Sequence, residues 1–360
     1  MSHQAITALS TVLRPRVGLS KSRLETLGLL VVGMVSARTV NLAHIAAERP
    51  GEARIASTYR RLQRFFQYVE VGTDWVLPLL GDLLALRGSW TLVLDRTEWM
   101  IGRHEVNFLV LAVVSRRFRV PLLWSLLPHG GNSSSEVRIA LVERYLARFG
   151  SGTIRLLLAD REFIGDKWLK FLDDRGIPFA IRLRENLRVV TEDGCELTLF
   201  ARLRTTRRTR FFRGRLWNDG KADGPLLDFA AKRLKDEWLI VVSNCPARRA
   251  LAAYRKRWAI ECLFGDAKTR GLNLEDTRLT DPRKLDLLMA IVALAIAWAG
   301  RTASDLLGPH EPKRKSHGYL AKSWFRVGFD HIRNRLRTNP SDAITSWLAI
   351  AKPQKKQRVV

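Results

Sequence analysis

Between Ser89 and Asn186, five short apolar runs rich in β-branched residues are separated by turns and by two helix-patterned stretches, and this alternation limits the fold class more than any other feature. SWTLVLD, NFLVLAVVSRR and VPLLWSLLP follow one another with only short polar connections, as three consecutive strands do. The loop Gly130-Gly131-Asn132-Ser133-Ser134 leads into a helix over 136–149, capped by one of its serines. IRLLLAD reads as a fourth strand, IGDKWLKFLDDRG as a second helix stopped at Gly176, and IPFAIRLREN as a fifth strand. The order βββαβαβ specifies a mixed α/β sheet.

On either side the texture differs. Residues 187–245 hold turn-rich, strand-like pieces (VVTEDGCELTLFARL, TRFFRGRLWNDG, EWLIVVSN), which mark a β-rich insertion. Helical character returns in ARRALAAYRKRWAIECLFGDAKTRG and in the apolar stretch after Pro282. The expected organisation is an N-terminal helical domain over 1–88, a sheet domain over 89–186 and 246–302, the insertion over 187–245, and a basic helical region over 303–360. Leu287 to Gly300 is an apolar run of fourteen residues, too short for a bilayer and suited to a buried helix, so no membrane is expected.

In the N-terminal domain a helix break at Arg49-Pro50-Gly51 precedes a segment in which Ile55, Tyr59, Leu62 and Phe66 form an apolar stripe. Arg60, Gln63, Arg64 and Gln67 share the other face, which suits a DNA groove as well as it suits plain solvation. Arg60, Arg61 and Arg64 are the DNA-binding candidates there. The chain carries 61 Lys+Arg against 35 Asp+Glu, a net charge of +26, which points to a dense polyanion as partner. Seven arginines crowd into 202–215, and of these Arg207, Arg208 and Arg210 are the candidates for phosphate contact. The three cysteines, Cys195, Cys245 and Cys262, have neither C-x-x-C spacing nor a neighbouring His, so no disulfide framework or zinc site is expected, and a reducing cytosol is.

Two acidic residues close apolar runs: Asp95 follows Leu92-Val93-Leu94, and Asp160 follows Leu156-Leu157-Leu158-Ala159. Each is expected where a buried strand emerges at the carboxyl edge of the sheet, the edge at which open α/β sheets bind ligands. Convergent carboxylates repel one another unless a divalent cation neutralises them. Tyr254, Arg257, Glu261 and Lys268 are spaced by 3, 4 and 7, which at about 100° per residue puts all four on one narrow helix face.

LVLDRTEW, LLLADREF and Y-x2-R-x3-E-x6-K, present here as YRKRWAIECLFGDAK, resemble the three acidic motifs of the IS4-family DDE transposases. ASTYRRLQRFF, NFLVLAVV with VPLLWSLLP, and the GGNSSSE loop resemble the same family in the same order, over about residues 20 to 300. The resemblance implies an RNase H-like core with a β-rich insertion between the second Asp and the Glu, which accounts for the 101 residues from Asp160 to Glu261. It implies Asp95, Asp160 and Glu261 as a catalytic triad for two Mg2+ ions, with Mn2+ as a substitute. Tyr254, Arg257 and Lys268 match the companions that hold DNA phosphates. It further implies cut-and-paste transposition at terminal inverted repeats through a hairpin, target DNA as second substrate, a homodimer on paired ends, and work in the bacterial cytosol or on the nucleoid. Glu162 departs from the family pattern, standing where many relatives have Gly.

Holding a base out of the stack in the hairpin step needs an aromatic surface, for which Trp217 and Trp238 are candidates against ordinary core packing. Two other readings remain open from sequence. One is a DNA-binding regulator with an inert sheet domain. The other is a tyrosine recombinase using Tyr254 with Arg255 and Arg257, which would work without divalent metal.

Overall fold

The computed structural model describes residues 3–72, 74–204, 208–217, 220–235 and 237–351. Five helices open the chain: α1 (His3–Leu13), α2 (Lys21–Ala37), α3 (Leu42–Ala47), α4 (Ile55–Tyr68) and α5 (Leu77–Leu84). The sheet domain follows as β1 (Trp90–Ile101), β2 (His104–Val114), β3 (Arg119–Leu127), α6 (Ser135–Phe149), β4 (Ile154–Ala159), α7 (Asp166–Asp174) and β5 (Phe179–Leu183). This is the βββαβαβ order that the apolar runs dictate. Ser134 caps α6 by accepting from the Val137 N–H, and Gly176, at φ 61°, lets the chain turn out of the helix after α7.

The insertion contributes β6 (Arg188–Thr191), β7 (Glu196–Thr198), the short α8 (Leu199–Leu203), β8 (Arg210–Leu216), β9 (Leu227–Arg233) and β10 (Trp238–Ser243). It extends the same sheet: the strand order is β3-β2-β1-β4-β5-β10-β9-β8-β6-β7, with β10 antiparallel to β5. Among the described residues, only β1–β4 and β4–β5 pair in parallel. The carboxyl ends of those strands therefore form one edge in the middle of the sheet.

The chain returns through α9 (Ala247–Tyr254), α10 (Trp258–Ala267), α11 (Pro282–Leu307), α12 (Trp324–Thr338), α13 (Pro340–Ala343) and α14 (Thr345–Ala351). A 3-10 turn over Arg255–Arg257 separates α9 from α10, where the sequence pattern reads as one continuous helix. The apolar run around Leu287–Gly300 is the middle of α11, which spans 26 residues, longer than the sequence pattern gave. It is long and apolar enough to cross a membrane, yet most of that window is buried inside the protein. Helices α2, α5, α12 and α14 and strand β3 pack around it, so the N- and C-terminal helices share one apolar core. A Cβ at Gly328 of α12 would run into the Ala299 carbonyl of α11, so the close crossing of these helices depends on glycine.

Helix α4 buries Leu62, Phe65 and Phe66 and leaves Arg60, Gln63, Arg64 and Gln67 exposed. Ile55, expected in the apolar stripe, is 57% exposed because it stands at the first position of α4, beyond the reach of the packing below.

Candidate active site

Strand register alone brings two carboxylates together. The parallel β1–β4 ladder ends on the pair Leu94–Ala159, and the next residue on each strand is an aspartate, Asp95 and Asp160. Strand β4 stops there. Strand β1 does not close at Asp95, as its apolar run implied; it continues to Ile101 because β2 still pairs with it on the other side.

The helical segment after the insertion completes the cluster. Tyr254, buried at the end of α9, donates its hydroxyl to the Ala159 carbonyl at 3.2 Å and lies 3.4 Å from Asp160 Oδ1, which pins the segment across the end of β4. The 3-10 turn then presents Arg257, whose Nη1 is 3.0 Å from Asp95 Oδ2 and 3.9 Å from Asp160 Oδ2. Its Nη2 donates to Glu261 in the first turn of α10. One guanidinium is thus shared by all three carboxylates that the sequence motifs single out.

The electrostatics follow from this crowding. Burial pushes the Asp95 carboxyl up to about 7, against the pull of the Arg96 backbone N–H and of Arg257, and the nearby Glu162 and Asp160 charges push it further. Burial disfavours the Arg257 cation, but the surrounding Asp160, Asp95 and Glu261 charges outweigh it and raise its pKa. Burial, and then the Asp160 charge, push the Tyr254 phenol far above its ordinary range. The Tyr254 hydroxyl is buried and engaged with the Ala159 carbonyl and Asp160, which argues against its use as the nucleophile of a tyrosine recombinase.

Lys268 does not join the cluster. Helix α10 ends at Ala267, and Lys268 Nζ donates to the Glu98 carbonyl at 2.9 Å and pairs with Glu275 at 2.9 Å, over the Trp99 ring. The single narrow face expected for Tyr254, Arg257, Glu261 and Lys268 therefore serves the first three only, because α10 ends at Ala267, one residue before Lys268. Arg61 is likewise turned inward: its guanidinium donates to Thr26 Oγ1 at 2.7 Å and to the Ser22 carbonyl at 2.8 Å, tying α4 to α2. Arg60 and Arg64 instead line a cavity of ≈ 550 Å³ with Tyr68, Arg278 and Lys284. Arg208 and Arg210 are exposed at the start of β8, and Arg207 lies outside the described residues. Of the other insertion arginines, Arg202 covers the Phe212 ring, Arg213 pairs with Glu192, and Arg215 donates to the Gly224 carbonyl.

Both tryptophans picked from the insertion are occupied: Trp238 is buried under Arg233, and the Trp217 ring is half-buried and covered by Arg188. The aromatic that the sequence reasoning missed is Trp258, next to Arg257 and 63% exposed. It lines an open cleft of ≈ 780 Å³ together with Phe211, Arg182, Lys232, Arg248 and Arg255. Also missed were Arg96, Glu162, Asn107 and Arg138, which surround the two aspartates with side-chain hydrogen bonds. Arg96, Asn107 and Glu162 stand inside the family-like segments, but the partners in these bonds are 11 to 66 residues away, so nothing local announces the pairing.

Oxygen donors from three carboxylates are the chemistry a hard divalent cation takes. Among the described residues no three acidic, His or Cys side chains close on a common point as a ready ligand set. The site carboxylates close on the Arg257 cation instead, and the positive charge they share there is the charge a metal would supply. Three carboxylates gathered around one positive charge are a donor set that fits a divalent ion.

Carboxylates gathered at the carboxyl edge of a sheet, beside a cation-lined cleft, suit an enzyme acting on phosphodiesters. The family model described as a transposase DDE domain matches residues 88–298, well over half of the chain. The chain belongs to the DDE transposases: it is a DNA-cutting and strand-transferring enzyme, and its substrates are DNA. Enzymes of this family work with divalent metal ions. Among curated protein sequences none matches. Among solved structures, the endonuclease V of Bacillus subtilis aligns at 13% identity over 62% of this chain and 90% of that one, with a TM-score of 0.26.

Proposed function

We propose that the chain is a transposase of the IS4 kind, which excises its element at terminal inverted repeats through a hairpin and joins it to target DNA. The observation that carries this reading is the convergence of Asp95, Asp160 and Glu261, from three distant segments, on the single Arg257 guanidinium. In this reading β1–β5 with α10 are an RNase H-like core, and the three carboxylates hold two Mg2+ ions. Bound there, the ions would supply the Lewis acidity that activates the attacking oxygen and neutralises charge on the leaving one.

The chain's own residues do the rest. Arg257 suits a phosphate oxygen of the cut strand, since a guanidinium fork matches phosphate geometry. Tyr254, neutral and hydrogen-bonded to Ala159 and Asp160, holds the Asp160 carboxylate in place. Water attack breaks the P–O3′ bond and leaves a 3′-hydroxyl and a 5′-phosphate. That hydroxyl then attacks a phosphodiester of the opposite strand, closing the hairpin and releasing the flanking DNA. A base displaced in this step has an exposed ring to stack on at Trp258, which supports that residue over Trp217 and Trp238.

Arg60 and Arg64 on α4 and Arg208 and Arg210 at the edge of β8 are the outer phosphate contacts, and a homodimer holds the paired ends. The reading is tested by incubating the purified chain with duplex DNA carrying the element's ends. Mg2+-dependent cleavage and a hairpin product, both lost in Glu261→Gln, are expected; cleavage undiminished in that variant would remove Glu261 from the triad.

A further inference from the structure

Glu162, the residue that departs from the family pattern, is answered by Arg96, the residue that follows Asp95 in LVLDRTEW. Arg96 Nε donates to Glu162 Oε1 at 2.6 Å and Nη2 to Oε2 at 3.0 Å, a two-pronged contact between side chains only 14% and 21% exposed. Each partner is a near neighbour of a site aspartate. Arg96 follows Asp95 and donates its backbone N–H to Asp95 Oδ1 at 2.9 Å, and Glu162 lies two residues beyond Asp160 in the turn closed by the Phe163 N–H on the Asp160 carbonyl.

The fork is in turn anchored. Arg96 Nη1 donates to Asn107 Oδ1 at 3.3 Å, and the Asn107 amide donates to the His129 and Gly131 carbonyls at 3.1 and 3.0 Å. The Glu162 carbonyl accepts at 3.1 Å from Arg138, which is only 4% exposed and also holds Ser133 Oγ and the Ile164 carbonyl. The parallel β1–β4 ladder stops at Leu94–Ala159, one residue short of both aspartates. Beyond that point β1 and β4 no longer pair through the backbone, and the Arg96–Glu162 fork cross-links the two segments directly, beside the Arg257 guanidinium that bridges the aspartates from α9–α10.

We infer that Arg96 and Glu162 form a positioning pair that fixes the separation of Asp95 and Asp160, and with it the affinity of the site for a divalent cation. The inference rests on the reading of those aspartates as metal ligands. Bidentate guanidinium–carboxylate contacts are suited to this role because both partners are held in plane and in distance. With both oxygens on Arg96, Glu162 is also kept from competing with the aspartates for the cation.

The test uses the full chain freed of metal and titrated with Mn2+, the free ion being counted by electron paramagnetic resonance, with duplex cleavage measured in parallel. Glu162→Gln keeps the side-chain shape and removes one charge; Arg96→Gln removes the fork. Each is expected to weaken Mn2+ binding and slow cleavage by about 10- to 100-fold, the range for groups that orient metal ligands, while duplex affinity and the circular dichroism spectrum stay as in the parent. The two substitutions combined are expected to be no worse than either alone, since they break one contact. Parental Mn2+ affinity and rate in Glu162→Gln, with Asp95→Asn inactive, would overturn the positioning role and leave the site reading intact. Additive losses in the double variant would also overturn it, because they would mean the two residues act separately. Cleavage by Asp95→Asn would instead remove the site reading and the inference with it.

Discussion

The Arg257 guanidinium lies 3.0 Å from the Asp95 carboxylate although 162 residues separate them in sequence, and it donates at the same time to Glu261 on its own helical segment. One cation thus neutralises carboxylates contributed by β1, by the end of β4 and by α10. Removing it should be felt most when nothing else supplies positive charge. Arg257→Ala is expected to lower metal-free stability by roughly 1–3 kcal/mol, the penalty of leaving partly buried charged groups without a partner. Millimolar Mg2+ should then raise the melting temperature of the variant more than that of the parent. Equal metal-induced shifts in the two proteins would mean that Arg257 and the ions do not share a site.

The burial of Asp95 and Asp266 gives metal-free stability a pH dependence of unusual sign for acidic residues. Asp95 is pushed up to about 7 and Asp266 to about 6, chiefly by burial, so the folded chain binds protons that the unfolded chain has released above about 4. Both groups therefore cost stability as pH rises from about 4 to about 7. Asp95→Asn avoids its share of that cost. In the absence of metal the variant is expected to melt a few °C above the parent at pH 8, with a clearly smaller gap at pH 5. A gap of the same size at both pH values would show that Asp95 titrates normally. With Mg2+ present the gain should shrink, because the parent alone can use the ion.

How far the sequence could be read depended on whether the determining contact was local. The alternation of apolar runs between Ser89 and Asn186 is local, and the strands it marks are the strands of the fold. The aspartates were legible for the same reason: each directly follows an apolar run, and only their pairing across β1 and β4 needed the register. What failed to show was decided at a distance. Nothing near Arg61 says that Thr26 and Ser22 will take its guanidinium, and nothing near Glu162 names Arg96 as its partner. Periodicity also misled at Lys268, because counting residues assumes a continuous helix and α10 instead ends at Ala267. The placement of the insertion strands beside β5 is likewise a pairing that no short stretch of sequence encodes.

Neighbouring arginines on α4 should behave differently. Arg61 hydrogen-bonds α2, so Arg61→Ala is expected to cost about 1–2 kcal/mol of stability. Arg60 and Arg64 are exposed and should cost less than about 0.5 kcal/mol each. For DNA the order reverses: Arg60→Ala and Arg64→Ala should each weaken binding to any duplex and lower the slope of log affinity against log salt by about one. Denaturant melts and binding measured at several salt concentrations separate the two effects. An unchanged salt slope for Arg60→Ala and Arg64→Ala would move the DNA path off this helix face.

Trp258 offers the sharpest division between folding and function. With the ring 63% exposed, beside Arg257 and in a cleft with Arg248 and Arg255, its truncation removes little buried surface. Trp258→Ala is expected to leave the melting temperature within about 1 °C of the parent, as surface substitutions do. Stacking of an unpaired base on such a ring is worth about 1–3 kcal/mol, which translates into a hairpin step slower by roughly 5- to 150-fold. First-strand nicking needs no displaced base and should proceed at the parental rate, so nicked DNA should accumulate. A fluorescent base analogue placed next to the cut site should brighten less with the variant than with the parent, since less of it leaves the stack. Normal hairpin formation by Trp258→Ala would shift the search to Phe211, the other aromatic in the same cleft.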